Sequence, residues 1–143
     1  MRVLGLDIGS VRVGVAISDP SGSVATPRTV LDAKRLFDDP SELKAIVEDE
    51  GVGLLVVGLP VTMAGEEGPQ ADRARSAGDA LGAALGVPVE YFDERLTSAE
   101  ASAAMRSGGV KSRDQRGRID AAAAALMLQA YLDSRKARRP HEE

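Results

Sequence analysis

The sequence predicts an α/β fold in which a mixed five-stranded sheet carries helices on both faces. Two runs rich in Val, Ile and Leu, residues 2–8 and 11–18, flank Gly9-Ser10 and indicate a β-hairpin. Residues 53–59 form an uninterrupted apolar run, which is typical of a strand buried on both faces. Helical patterns precede and follow that run, so an antiparallel meander is expected to lead into parallel βαβ crossovers.

Turn residues and apolar spacing predict the remaining elements. Residues 24–31 are a third strand, which Pro27 places at an edge because proline cannot donate a hydrogen bond to a ladder. The polar stretch 32–40 is predicted to be a loop, and a fifth strand is expected over 87–92. Helices are predicted over 42–50 with Ser41 as the cap, over about 69–85, from Thr97 or Ser98 to about 107, and over about 118–135.

The last of these helices has an unusual buried face. Apolar residues recur at helical spacing from Ile119 to Ala130, and the run Ala121–Ala125 is made of the smallest side chain with a Cβ. Small side chains let a helix lie unusually close to a sheet. We therefore expect the first turn of this helix, which contains Asp120, to lie near the strand ends.

Composition limits the chemistry that the chain can perform. At 143 residues the chain fits one domain, which we assign to residues 1–135, followed by a tail over 136–143 that is expected to be disordered. There is no cysteine, and the only histidine is His141. Disulfides, thiolate metal sites and histidine general-base schemes are therefore disfavoured, and a bound metal would be a hard cation held by carboxylates.

The start of the chain, its apolar runs and the distribution of its charge indicate a cytoplasmic protein that binds nucleic acid. The first residues are interrupted too early by Asp7 to form a signal peptide, and no apolar run approaches the ~20 residues of a membrane span. The net charge is −4, yet one short segment is strongly basic and contains Asp114 as its only acid. Such a local patch is what a phosphate backbone would meet. Its cations are Arg106, Lys111, Arg113, Arg116 and Arg118.

Acidic residues occupy three positions that suggest a site. Asp7 lies inside an apolar strand, where an aspartate is disfavoured, although it could also cap the adjacent turn. Asp93-Glu94 ends a strand, where ligands of α/β sheets bind, although an ion pair with Arg95 would explain it equally well. Asp120 could simply stabilise a helix dipole. Together, carboxylates that converge from separate elements would suit a two-metal phosphodiesterase using Mg²⁺ or Mn²⁺.

With these residues in hand, the chain resembles the YqgF/RuvX family of pre-16S rRNA nucleases and Holliday junction resolvases. The likeness extends from residue 2 to about residue 133. It depends on four blocks that occur in order: Leu4-Gly-Leu-Asp-Ile-Gly-Ser with Arg12-Val-Gly-Val-Ala, Val57-Gly-Leu-Pro, Asp93-Glu-Arg-Leu-Thr-Ser, and Ile119-Asp-Ala-Ala-Ala-Ala.

The resemblance implies a ribonuclease-H-like fold with a catalytic and metal-binding triad of acids. Matched by position, these acids are Asp7, Glu94 and Asp120, with Asp93 as a neighbour that could assist. Asp7 would bridge two Mg²⁺ or Mn²⁺ ions, and the basic segment would hold flanking phosphates. Gln70 and Arg73 could also face substrate, or could belong to a solvated helix face.

Several functions remain open from the sequence. Processing of the 5′ end of pre-16S rRNA is favoured over resolution of branched DNA, because no large apolar dimer face is evident and a monomer or weak homodimer is expected. A nucleotide-binding domain of the actin or sugar-kinase type would share the opening hairpin, but the chain lacks room for a second lobe. A non-catalytic nucleic-acid-binding protein would gain nothing from acids that face phosphates.

Overall fold

A computed structural model describes residues 1–61, 64–97 and 113–137, with side chains from Asp120 to Lys136 in the last segment. Within these residues no helix is both long and apolar enough to cross a membrane. The elements in chain order are β1 (Arg2–Ile8), β2 (Arg12–Ser18), β3 (Ala25–Asp32), α1 (Ala33–Asp38), α2 (Ser41–Glu50), β4 (Val52–Leu59), α3 (Pro69–Leu85), β5 (Val89–Asp93), a short 3₁₀ helix (Glu94–Leu96) and α4 (Arg113–Ala137).

The strands form one five-stranded mixed sheet of order β3-β2-β1-β4-β5. The meander β1, β2, β3 is antiparallel, and β1, β4 and β5 are parallel to one another. The predicted mixed sheet, in which an antiparallel meander leads into parallel strands, and the edge position of the strand with Pro27 are therefore confirmed. Because β1, β4 and β5 point the same way, their carboxyl ends meet at one edge of the sheet.

Helices cover both faces of the sheet, as the sequence predicted. On one face, α1, α2 and α3 pack on side chains that include Leu4, Leu6 and Leu55. On the other face, α4 is the helix within the described residues that packs on the sheet, where Leu128 and Leu132 contact Val3, Val56 and their neighbours. Since successive strand residues point to opposite faces, Asp7 lies on the same face as Val3, which is the face that α4 covers.

The segment before β4 differs from the prediction in two respects. Residues 32–40 were predicted to be a loop, but Ala33–Asp38 form helix α1, whose Ala33 and Leu36 are buried one turn apart. The Asp32 side chain accepts a hydrogen bond from the Arg35 amide and caps this helix, so the polar residue is its start signal. The cap of α2 is Pro40 instead of Ser41, which is the first helical residue.

The last helix is longer than the sequence predicted. It begins at Arg113 instead of residue 118, because the polar residues before Ile119 are compatible with a helix although they lack its apolar pattern. Asp120 is therefore not in the first turn, and the helix dipole contributes less to its environment. The helix ends at Ala137, two residues beyond the predicted end. Residues 136 and 137 of the tail predicted over 136–143 are therefore helical, whereas residues 138–143 and the helix expected to about residue 107 lie outside the described residues.

Glycines on the covered face bring α4 unusually close to the sheet. A Cβ built on Gly14 would lie 2.1 Å from the carbonyl oxygen of Asp120, and one on Gly5 would lie 2.9 Å from the Leu128 Cβ. The helix backbone therefore rests directly on β2 at Gly14. The prediction that α4 lies close to the sheet is confirmed, although the sheet contributes the decisive glycines.

Substitution of Gly14 by Ala should lower the free energy of unfolding by about 1–3 kcal/mol, since the methyl group would force α4 away from β2. Chemical denaturation measures this change. Gly68→Ala is the matched control, because a Cβ there meets nothing within 4 Å. A loss at Gly14 no larger than that at Gly68 would contradict the close approach.

Candidate active site

Asp7 is the penultimate residue of β1, and it lies at the edge of the sheet where the parallel strands end. It is half-buried, and its direct partner in the β1–β2 ladder is Gly14. Burial raises the pKa of the Asp7 carboxyl, and the nearby negative charge of Asp120 raises it further, whereas a hydrogen bond with Glu94 acts in the opposite direction. Asp7 therefore interacts with both of the other acids that the sequence singled out.

Glu94 approaches Asp7 from the end of β5, across the strand that separates them. On that strand a Cβ at Gly58 would lie 2.8 Å from Glu94 Oε1, so the missing side chain makes room for the carboxyl group. Burial, the charge of Asp7 and a hydrogen bond with Asp7 raise the pKa of Glu94 to about 7. Without a cation, the two carboxyl groups share a hydrogen bond, which requires a proton on one of them.

Asp120 is held by an ion pair that the sequence analysis did not anticipate. Arg12 Nε donates to Asp120 Oδ2 at 2.6 Å, with the two side chains 41% and 32% exposed. Arg12 begins β2, two residues before the glycine on which Asp120 rests. In the sequence, Arg12 stands out only as a single cation at the start of a largely apolar strand. The fold is what brings Arg12 to Asp120.

Asp93 has a different environment from its neighbour Glu94. Its carboxylate receives three hydrogen bonds from the Arg95 guanidinium, including one of 2.7 Å from Nη2 to Oδ2, and a fourth from the Arg95 amide at 2.9 Å. These hydrogen bonds lower the pKa of Asp93. The ion pair with Arg95 that the sequence suggested is therefore present at Asp93, and it leaves Glu94 to face Asp7.

The donor chemistry of this site fits a hard divalent cation. Asp7, Glu94 and Asp120 offer carboxylate oxygens, and the raised pKa values of the first two reflect burial and negative charge that a cation would offset. Among the described residues no three His, Cys, Asp or Glu side chains are grouped closely enough to hold a metal ion. The ion pair with Arg12 engages the third carboxylate, so Asp120 would have to exchange this partner for a cation.

The predicted basic segment is described only in part. The backbone of Arg113, Arg116 and Arg118 lies in α4, so these residues are helical and not in a loop. Their side chains lie outside the described residues, as do Arg106 and Lys111 entirely. Gln70 and Arg73 lie in the first turns of α3 and line a cavity together with Pro60.

A mixed sheet in this strand order, with helices on both faces, is the architecture of ribonuclease-H-like proteins, and the chain has this fold. More narrowly, it belongs to the RuvX family, whose model, described as Holliday junction resolvase, matches residues 1–134. The resemblance identified in the sequence is thereby confirmed, and a kinase-like identity is not supported.

Relatives cover almost the whole chain. A protein of Anaeromyxobacter dehalogenans (strain 2CP-C) is 47% identical over 135 residues, covering 94% of this chain and 98% of its own length. One of Chloroflexus aurantiacus (strain J-10-fl) is 44% identical over 142 residues, covering 98% and 93%. The name of each describes a pre-16S rRNA nuclease.

Solved structures support the same fold. The Thermus thermophilus RuvC structure in complex with a Holliday junction matches with a TM-score of 0.61 at 17% identity, covering 96% of each chain. The Fowlpox virus resolvase in complex with junction DNA matches with a TM-score of 0.56 at 9% identity, covering 94% of this chain and 98% of that one. At such low identity these likenesses support the fold alone.

The raised pKa of Glu94 predicts a pH-dependent stability of the metal-free protein. The folded state favours protonated Glu94, so this stabilisation is fully present below the ordinary value of 4.5 and is lost as the pH rises through about 7. In EDTA, the Tm of the wild type should fall relative to that of Glu94→Gln over this range. Glu42→Gln, at an exposed position of α2, should follow the wild type. A constant difference between wild type and Glu94→Gln would contradict the buried, protonated carboxyl group.

Proposed function

We propose that this chain cleaves RNA phosphodiester bonds with Asp7, Glu94 and Asp120 as its catalytic acids, using Mg²⁺ or Mn²⁺, in processing of the 5′ end of pre-16S rRNA in the cytoplasm. The contact between Asp7 and Glu94, beside the charge of Asp120, carries this proposal. Buried acids that repel one another lower stability, and such an arrangement is typical of a site that binds a cation.

Each acid would contribute differently because each stands on a different element. Asp7, between the other two, is suited to bridging, and Glu94 and Asp120 would complete the coordination from either side. A bound divalent cation would lower the pKa of an attacking water and neutralise charge on the phosphate. Arg12, when displaced from Asp120, would be left beside the phosphate that the cations attract, where it can offset negative charge.

The RNA would be held by the cations that precede and begin α4. Arg106, Lys111, Arg113, Arg116 and Arg118 are grouped in sequence ahead of Asp120, and α4 leads from this segment to the catalytic acids. Contacts with phosphates would position the strand without reading its sequence. One chain would carry the complete site, so a monomer or weak homodimer suffices for cutting a single strand.

Branched DNA is a second candidate substrate. The family description names Holliday junction resolvases, and a resolvase must place two sites on two strands of a junction. The names of the relatives with 44–47% identity, which describe pre-16S rRNA nucleases, favour RNA. The two substrates require the same chemistry at phosphorus, and they differ in the surface that surrounds it.

Replacing Asp7 with Asn should lower metal-dependent cleavage by about 10²-fold or more, because the amide keeps the shape but loses the charge that binds a cation. Cleavage of labelled pre-16S rRNA fragments and of four-way DNA junctions is followed with Mg²⁺, with Mn²⁺ and with EDTA. Asp49→Asn, at an exposed position of α2, is the matched control and should retain activity. Cleavage that persists in Asp7→Asn would refute the assignment, and the preferred substrate decides between RNA and DNA.

Replacing Lys111 and Arg113 together with Ala should weaken RNA binding and flatten its dependence on salt. Each lost phosphate contact means that fewer counterions are released on binding. The slope of log K against log salt should therefore become shallower by about 0.7 for each contact with a single strand. Fluorescence anisotropy at several salt concentrations measures the slope. Arg135→Ala, in the last turn of α4, should leave it unchanged. An unaltered slope in the double variant would place the RNA elsewhere.

A further inference from the structure

A cavity lies at the edge of the sheet where the parallel strands end, between the loop that follows β4 and the start of α3. Its volume is about 390 Å³, and its lining residues are Pro60, Val61, Gly68, Pro69, Gln70 and Arg73. Pro60 directly follows Leu59, whose ladder partner is Asp93. Gly58, two residues before Pro60, has no side chain, and a Cβ built there would lie 2.8 Å from Glu94 Oε1. The cavity therefore lies at the same edge of the sheet as Asp93 and Glu94.

The walls of this cavity are fixed by contacts that need no ligand. Val61 and Glu67 form an isolated β-bridge that closes the loop on itself. Glu67 receives two hydrogen bonds from Arg75, at 2.7 Å and 2.8 Å, and this guanidinium also lies 4.9 Å from the ring centre of Tyr91. The loop is thereby tied to α3 and to β5, so the cavity is preformed.

The lining combines apolar faces with a few polar groups. The rings of Pro60 and Pro69 and the side chain of Val61 offer apolar contacts, and the Gln70 amide offers both a donor and an acceptor. Arg73 is exposed, and its Nε makes only a long hydrogen bond of 3.4 Å to the Pro69 carbonyl. Within the described part of the chain, Arg73 forms no ion pair.

These properties match a nucleobase better than a free anion. A base has flat apolar faces that pack on proline rings and on a guanidinium plane, and polar edges that an amide can read. A phosphate alone would leave the apolar walls unused. An aliphatic ligand would leave the guanidinium and the amide without partners. The cavity is also wide enough for one base, and it lies at the sheet edge where β4 and β5 end, next to the strand end that carries Glu94.

We propose that this cavity binds one unstacked nucleobase of the RNA strand, next to the phosphate that is cleaved, with Gln70 contacting the base edge and Arg73 its face. The inference rests on the proposed function, because the RNA must lie across the acids for a base to enter here. Contacts with phosphates do not distinguish one nucleotide from another, whereas a bound base would allow the nuclease to recognise a particular nucleotide.

The test measures whether the protein detects the loss of a single base. A fluorescein-labelled single-stranded RNA is prepared with an abasic ribose at each position in turn, and its Kd is measured by anisotropy with the Asp7→Asn protein in Ca²⁺. Binding should weaken about tenfold at one position, within the range known for stacking of a base on a protein side chain. The cut made by the wild type with Mg²⁺ or Mn²⁺ on the intact RNA should lie beside that position.

Variants of the cavity then show where the base is bound. Adding Gln70→Ala and Arg73→Ala should weaken binding of the intact RNA by a similar factor and abolish the sensitivity to the abasic position. Arg73→Lys should keep the attraction to phosphate but lose part of this sensitivity, because lysine has no planar face. Arg135→Ala is the matched control. It removes a guanidinium fifteen helical residues, or about 22 Å, from Asp120 and should retain full discrimination.

Two failures are distinguishable in this design. If the wild type cuts RNA but tolerates an abasic ribose at every position, the nuclease stands and the base-binding cavity is refuted. If the cavity variants lose affinity equally for intact and abasic RNA, the cavity binds the backbone and the proposal is also refuted. If no RNA is cut with any metal, the proposed function fails, and the binding scan still reports separately whether the cavity distinguishes a base.

Discussion

The site depends on one steric constraint, which is the close approach of α4 to the sheet over glycines. Asp7 on β1 stands between Gly14 on β2 and Gly58 on β4, and neither neighbour has a side chain that could block it. The gap at Gly14 is filled by the backbone of Asp120, and the gap at Gly58 by the carboxyl group of Glu94. The same absence of side chains thus brings both partners to Asp7. A protein core normally gains stability when side chains fill such gaps. The two glycines give up this packing, and the space they leave allows Asp120 and Glu94 to approach Asp7.

Convergence of like charge has an electrostatic cost that the metal-free protein reduces in two ways. Asp7 and Glu94 share a hydrogen bond, so one negative charge is replaced by a proton near neutral pH. Asp120 is paired with Arg12 instead. Both partners are exchangeable, because the proton leaves as the pH rises and a half-exposed ion pair contributes only about 0.2–1 kcal/mol. The arrangement therefore keeps the acids together while leaving them available to a stronger cation.

Much of the fold follows from the sequence, because strands, turns and buried faces leave local patterns, and the three acids could be proposed from it. The edge position of β3 follows from Pro27, and Gly51 and Gly86 mark the ends of α2 and α3. Helix α1 was missed because six residues with one buried pair, Ala33 and Leu36, are too few to establish a period. The ion pair of Arg12 with Asp120 joins residues that are 108 positions apart, so no local pattern could reveal it. The roles of Gly14 and Gly58 depend in the same way on the neighbours that the fold supplies.

Asp93 and Glu94 show how the fold assigns different tasks to adjacent acids of similar chemistry. Arg95 donates to Asp93 and lowers its pKa, whereas burial and Asp7 raise the pKa of Glu94. Because Asp93 keeps its charge in an ion pair, it fixes the start of the 3₁₀ helix and with it the direction in which Glu94 points. The same turn places Arg95 within 4 Å of the Cβ position of Gly65, in the loop whose two ends form the wall of the cavity. Catalytic geometry and substrate recognition would therefore be coupled through one short segment. Selection among substrates can then act on the loop around the acids while the acids themselves stay unchanged.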